Sequence, residues 1–364
     1  MIVFFAHLNG TTAINSRLPM FLRLDGYPAV WLFFMLSSFL LSKGFFQERF
    51  GTDPERLTFF YKSRALRLLP LILCVQIVDV VLNHILKGPY PFPVSSWLHE
   101  LFIISGPWAH YYYRGAMASI NSPIWSVMLE IDFIIILPLL IYLTKISIHI
   151  IHALFAIWFL ALLSFGINIA FNGASAPSIW PQGYESHLYN CGFFFAGISL
   201  AYFKEKVNLK VRPPLILAAA LLCLMVYGKL NIMNGSDLNR ALVYGPLALV
   251  PLFAFLMLVV DTNYQKRLPR SFKELRPKLS LGSIAESIGV MSYSFYLSHR
   301  YMMKVISIYL ERFGVRASVM SVVIMVFCLT LSCVLYIFVE NRFRLKKSKE
   351  QSGGIQPAMI PSYS

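Results

Sequence analysis

Four groups of polar side chains lie inside stretches that are otherwise apolar. His7 is the one ionisable side chain in Met1-Ile2-Val3-Phe4-Phe5-Ala6-His7-Leu8. An imidazole takes up and returns a proton near neutral pH. An ionisable group in a bilayer is costly, so it marks either a working site or a helix-packing bond to a backbone carbonyl. Arg64-Ala65-Leu66-Arg67 puts two guanidinium groups on one helical face. Such a pair can clamp a phosphate or diphosphate bidentately, and a basic anchor at the membrane surface is the plainer reading. Glu130 and Asp132 follow Trp125-Ser126-Val127-Met128-Leu129, a turn or more into an apolar run. Carboxylates at that depth need an arginine or histidine from a neighbouring span, or a substrate hydroxyl. The fourth group is Ser292, Ser294, Ser298, His299, Arg300 and Lys304, interleaved with Tyr293 and Tyr296. Serines and tyrosines there predict interhelical hydrogen bonds. The adjacent His299 and Arg300 are too polar to face lipid, and are expected along an aqueous cavity or near its outer edge.

The elements that must position these groups are membrane spans. Hydrophobic residues make up 57% of the 364-residue chain and charged residues 13%, against roughly half and a quarter in soluble domains. Apolar runs between polar breaks predict spans at 29–45, 66–86, 124–144, 147–171, 188–203, 214–230, 241–261, 285–310 and 317–340. The run around His7 is shorter than the roughly 20 residues a crossing helix needs, and reads as a first span truncated at its N-terminus. The expected fold is thus an all-α polytopic transmembrane bundle of about ten spans. Leu98–Trp108, broken by Gly106 and Pro107, reads as an interfacial or re-entrant piece. One set of alternate connections carries 22 of the 32 lysines and arginines and the opposite set 8, with Arg300 and Lys304 inside a span. By the positive-inside rule, both termini are then cytoplasmic. The sequons at Asn9 and Asn234 fall on the outer side, in weak agreement. Residues 1–343 form one integral domain. Residues 344–364 read as a basic, then Gly/Pro/Ser-rich, disordered cytoplasmic tail.

The net charge of +15 sits in short loops between apolar runs, so it argues for membrane topology and against nucleic-acid binding. Cys74, Cys191, Cys223, Cys328 and Cys333 lie in apolar runs without metal-type spacing. They read as core residues, and no metal site is expected.

Several separated segments, in order, resemble the acyltransferase-3 family of membrane acyltransferases. Leu32-Phe33-Phe34-Met35-Leu36-Ser37-Ser38-Phe39-Leu40-Leu41 is similar to its FFVLSGFLI segment. Phe60-Tyr61-Lys62-Ser63-Arg64-Ala65-Leu66-Arg67-Leu68-Leu69-Pro70 resembles its arginine-pair segment, and Ile124-Trp125-Ser126-Val127-Met128-Leu129-Glu130 its WSLxxE segment. Met291-Ser292-Tyr293-Ser294-Phe295-Tyr296-Leu297-Ser298-His299 resembles iSYSlYLwH, and Phe338-Val339-Glu340-Asn341-Arg342-Phe343 the closing yvErPfr. The match covers nearly the whole chain. Three departures are Ser38 for Gly, Ser298 for Trp and Asn341 for Pro. In the family's first span an Arg precedes a His by eleven positions. His7 matches the His, and the Arg would fall before Met1.

The resemblance implies transfer of an acyl group, often acetyl, from a CoA thioester to a hydroxyl on a glycan, lipid or other acceptor. Acyl-CoA would be a donor substrate, with no permanently bound cofactor. On that reading neutral His7 takes the proton of the attacking hydroxyl, and a carboxylate such as Glu130 orients the imidazole. Arg64 and Arg67 hold the CoA phosphates at the cytoplasmic mouth. Ser37, Trp125, Ser126, Tyr293, Ser294 and His299 are candidates to line the cavity. Two other readings stay open: a transporter that uses the same buried groups as a relay, and an inactive family member with a binding role.

Overall fold

The computed structural model describes residues 2–9, 26–87, 123–172, 187–206, 238–264 and 289–343, with isolated helical positions at 218, 222 and 225. All regular structure among the described residues is helical. In chain order the helices are α1 (Ile2–Asn9), α2 (Tyr27–Phe46), α3 (Pro54–Lys87), α4 (Ile124–Ile146), α5 (Ile148–Asn172), α6 (His187–Lys206), α7 (Leu238–Tyr264), α8 (Ser292–Arg312) and α9 (Ala317–Leu335). A π turn (Tyr336–Glu340) and a last helical turn (Asn341–Phe343) continue α9. Among the described residues, four stretches are long and apolar enough to cross a membrane: Tyr27–Phe46, Ile124–Ile146, Ile148–Asn168 and Val319–Phe343. These four account for less than the expected ten. Most of 214–230, the segment Leu98–Trp108, Asn234 and the tail 344–364 lie outside the described residues.

Helix α3 differs most from expectation. Hydropathy predicts a span from residue 66, yet the helix begins at Pro54. Asp53 starts it: its Oδ1 accepts the Arg56 N–H at 3.0 Å and its Oδ2 the Arg56 Nε–H at 2.6 Å, satisfying a donor that a helix start leaves open. These bonds, the backbone one first, hold the Asp53 carboxyl below its ordinary pKa. Arg64 and Arg67 are therefore rigid helical residues, roughly 15–20 Å along the axis from Pro54 at 1.5 Å per residue.

The core is the parallel pair α2 and α6. Residues Trp31, Phe34 or Met35, Ser38, Leu41 or Ser42 and Phe45 recur at helical spacing and are all buried. Trp31 stacks on Phe193 at 5.5 Å and Phe34 meets Phe194 at 4.8 Å. Further along, Gln47 Nε2 donates to Glu205 at 2.9 Å. The close approach is made possible by Gly197, where a Cβ would run into Ser38 Oγ and the Met35 carbonyl oxygen. Ser38 thus stands where the related segment has glycine, and the space it needs is left by Gly197 on the facing helix. Gly197→Leu is expected to abolish assembly of the pair, since overpacking against backbone costs about 1–3 kcal/mol or more. Loss of the monodisperse peak and a lowered melting temperature in detergent would register it.

Helix α4 packs beside α2, where Trp125 meets Phe34 edge-on at 6.3 Å, and beside α6, where Phe133 stacks on Phe194 at 3.9 Å. Helices α8 and α9 form an antiparallel hairpin through Gly314, whose φ of 63° suits a residue without a side chain. Helix α1 lies parallel to α8, with Phe4 and Leu8 buried in a cluster with Phe295, Met303, Met320, Ile324 and Cys328.

Candidate functional site

Helices α1, α2, α3, α4 and α8 surround a cavity of about 640 Å³, within the range of small-molecule sites. Its wall is mostly apolar, with contributions from Val3, Phe4, Val30, Phe33, Leu36, Leu40, Leu68 and Ile134. Its polar side chains are Ser37, Arg64, Arg67, Glu130, Ser292, Tyr293, Tyr296 and His299. Five chain segments read separately in the sequence therefore meet around one space.

The arginine pair faces this cavity rather than serving only as a surface anchor. The Arg64 guanidinium carbon lies 5.7 Å from the centroid of the Phe50 ring, a cation–π arrangement that holds the fork in place. Phe50 is itself fixed against Gly44, whose carbonyl oxygen accepts the Phe50 N–H at 3.0 Å. Glu130 is 7% exposed. Its Oε1 accepts the Ser37 hydroxyl at 2.6 Å, and its Oε2 is buried with no hydrogen-bond partner among the described residues. Arg64 and Arg67 line the same cavity as Glu130, so a carboxyl group and two guanidinium groups share one wall.

At another part of the wall, His299 is fully enclosed at 1% exposure. Its Nδ1 lies 2.7 Å from the Tyr296 carbonyl oxygen and 3.2 Å from that of Phe295. Its Nε2 lies 2.8 Å from His7 Nδ1. The two rings are 14° from coplanar with centroids 5.0 Å apart. With the nitrogens at 2.8 Å, this is an edge-to-edge, in-plane hydrogen bond. His7 is half-buried and outside the cavity wall proper, reaching it through His299. Arg300 Nη1 donates to the His7 carbonyl oxygen at 3.3 Å, satisfying an acceptor that the end of α1 leaves open.

The remaining candidates divide. Ser37, Tyr293 and His299 line the cavity, and Trp125, Ser126 and Ser294 stand behind it. Ser126 is buried and shares a 2.6 Å bond with the Tyr296 hydroxyl, so it fixes a wall residue. Ser294 donates to Glu340 Oε2 at 2.9 Å, tying the start of α8 to the π turn. Trp125 packs on Phe34. Tyr293 donates to the Leu68 carbonyl oxygen at 3.4 Å and feels the charges of Glu130, Glu340 and Arg67. The partner of the His7 imidazole is His299, while Glu130 bonds Ser37. Asp132 pairs with His187 Nε2 at 2.8 Å, joining α4 to α6. Sequence reasoning gives no role to His187 or to Phe50. An aromatic residue beside the arginine segment and a histidine at a helix start are the available signals. No metal-holding group of three or more ligands occurs among the described residues, and the four described cysteines are free.

A protein-family model described as an acyltransferase domain matches residues 1–338. No curated protein and no solved structure matches the chain.

Proposed function

This chain belongs to the acyltransferase-3 family of membrane acyltransferases, and we propose that it moves an acyl group, in the first instance acetyl, from acyl-CoA to a hydroxyl of a glycan or lipid acceptor. The single observation that carries the reading is the cavity itself. A paired-arginine wall suited to phosphates and a histidine bonded to His7 face one 640 Å³ space.

In this reading Arg64 and Arg67 take the phosphates of CoA as bidentate forks. The pantetheine arm runs along the apolar wall toward His299. The acceptor hydroxyl gives its proton to His7 as its oxygen attacks the thioester carbonyl carbon. The tetrahedral intermediate then expels the CoA thiolate, which recovers that proton from His7. The cysteines are not required, because the hydroxyl attacks the thioester directly. Glu130 offers Oε2 to an N–H or O–H of a bound substrate. Leaving a buried acceptor without a partner costs about 1–3 kcal/mol. Glu130→Gln is therefore expected to raise the KM of one substrate roughly 10–100-fold, as initial rates varied in each substrate would show. Unchanged KM for both would remove Glu130 from binding.

The proposed setting is a multi-pass protein with both termini in the cytoplasm, the arginine pair on the CoA side and His7 toward the other. What supports it is the bias of basic residues and the relative direction of the packed helices: α1 parallel to α8, α2 parallel to α4 and α6, α8 antiparallel to α9. Incubating purified protein with labelled acetyl-CoA and extracted glycans or lipids tests the function. Label on a hydroxyl is expected. Absence of transfer to any fraction, with the donor bound, would favour a binding role.

A further inference from the structure

We infer that His299 is a positioning residue that fixes the tautomer of His7, so that the working nitrogen of His7 is Nε2. The inference rests on the reading of His7 as the base and concerns how this chain prepares it. Carbonyl oxygens only accept hydrogen bonds. Because His299 Nδ1 faces the carbonyls of Tyr296 and Phe295 at 2.7 and 3.2 Å, that nitrogen carries the hydrogen. A neutral imidazole has one N–H, so His299 Nε2 is a bare acceptor. The atom 2.8 Å from it, His7 Nδ1, must then be the donor. The other His7 tautomer would set two lone pairs against each other at that distance. With Nδ1 protonated, His7 Nε2 holds the free lone pair, and it has no hydrogen-bond partner among the described residues.

The surroundings favour the neutral pair. Phe4, Phe295 and Tyr296 surround the His299 ring, and Arg300 bonds the His7 carbonyl. Among the described residues no carboxylate bonds either imidazole. The arrangement also explains why His299, although it lines the cavity, is not the base. Both its nitrogens are occupied, one by carbonyls and one by His7. When His7 takes the hydroxyl proton on Nε2, its Nδ1–H remains bonded to His299, and the positive ring keeps its orientation until the thiolate recovers the proton. This is the base–orienter relation of other acyl-transfer sites, with a backbone-anchored imidazole in the place usually taken by a carboxylate.

The test compares His299→Leu, which fills similar space without an acceptor, with His299→Gln, whose Oε1 can accept the His7 N–H. His7→Ala is assayed beside them in the full-length protein in detergent with acetyl-CoA as donor. His299→Leu is expected to lower turnover roughly 10–100-fold, the usual effect of removing an orienting partner, with the acetyl-CoA KM unchanged. His299→Gln is expected to recover most of that loss. A packing role would instead make the two variants fall together, and that result overturns the inference. So does wild-type turnover in His299→Leu. Should leucine prevent assembly, His299→Met fills the same space without a comparable acceptor and is scored in the same way. Full activity of His7→Ala would instead overturn the reading of His7 as base, whereas an inactive His7→Ala beside an unaffected His299→Leu overturns only the positioning role.

Discussion

His7→Ala is expected to reduce acyl transfer by about 10²–10⁴-fold, the contribution of a positioned general base, while the protein still inserts and binds its donor. Binding should survive because the anchors of α1 are Phe4 and Leu8, at 0% and 1% exposure, packed against α8 and α9. His7 adds one hydrogen bond to that packing, worth about 1 kcal/mol. Its imidazole supplies a nitrogen lone pair free to accept a proton, which His299, with both nitrogens bonded, does not. His7→Gln should fail similarly, because an amide keeps the hydrogen bond to His299 and lacks the basicity. Single-turnover rates with enzyme in excess over labelled acetyl-CoA separate the chemical step from binding. Equal single-turnover rates for wild type and His7→Ala would remove His7 from the chemistry.

The second large effect is expected at the arginine pair. Arg64→Ala with Arg67→Ala should lower kcat/KM for acyl-CoA by about 10²–10⁴-fold, since each charge-assisted hydrogen bond to phosphate is worth about 1.5–3 kcal/mol. The effect should appear in KM, since phosphates far from the thioester are bound alike before and during the reaction. Lysine at both positions keeps the charge without the fork, so it should restore only part of the affinity. Arg64 is the more constrained of the two, with its guanidinium over the Phe50 ring and that ring against Gly44. Phe50→Ala should therefore weaken donor binding without touching the donor, by freeing Arg64. An acyl-CoA KM unmoved by the double substitution would assign the pair to topology alone.

The bundle is legible in the sequence wherever a span is uniformly apolar. The spans expected at 124–144 and 147–171 agree within two residues at each end with α4 and α5, because long apolar runs leave few places to stop. Helix α3 begins at Pro54, twelve residues before the span expected from 66. Its first turns carry Glu55, Arg56, Lys62 and Arg64, which hydropathy leaves outside the span. The start signal that matters is the Asp53 cap, a local hydrogen bond and not a change in polarity.

Within the site, the residue types are legible and their partners are not. His7, Glu130, the arginine pair and His299 each stand out as polar groups in apolar surroundings. Which acid or imidazole meets which is decided by helix packing across 292 residues for His7 and His299, and 93 for Ser37 and Glu130. Spacing along one helix carries no information about that. Asp132 shows the same limit: the sequence says that a carboxylate at that depth needs an arginine or histidine from a neighbouring span, and only the packing of α6 on α4 names His187. Ser38 and Gly197 form a small–small contact across two helices, and a family comparison at Ser38 alone cannot see the half that accommodates it.

A bundle that transfers an acyl group at the cavity lined by Arg64, Arg67 and the His299 to which His7 is bonded must release one CoA thiol for each acyl group it moves. The most direct measurement follows free CoA thiol and labelled acyl product together, using purified full-length protein in detergent, where no transmembrane gradient exists. Thiol release is expected to be matched one for one by label on an acceptor hydroxyl, with both abolished in His7→Ala. Acetyl-CoA that stays intact in detergent, together with movement of a solute or proton across sealed liposomes carrying the same protein, would contradict acyl transfer at this site.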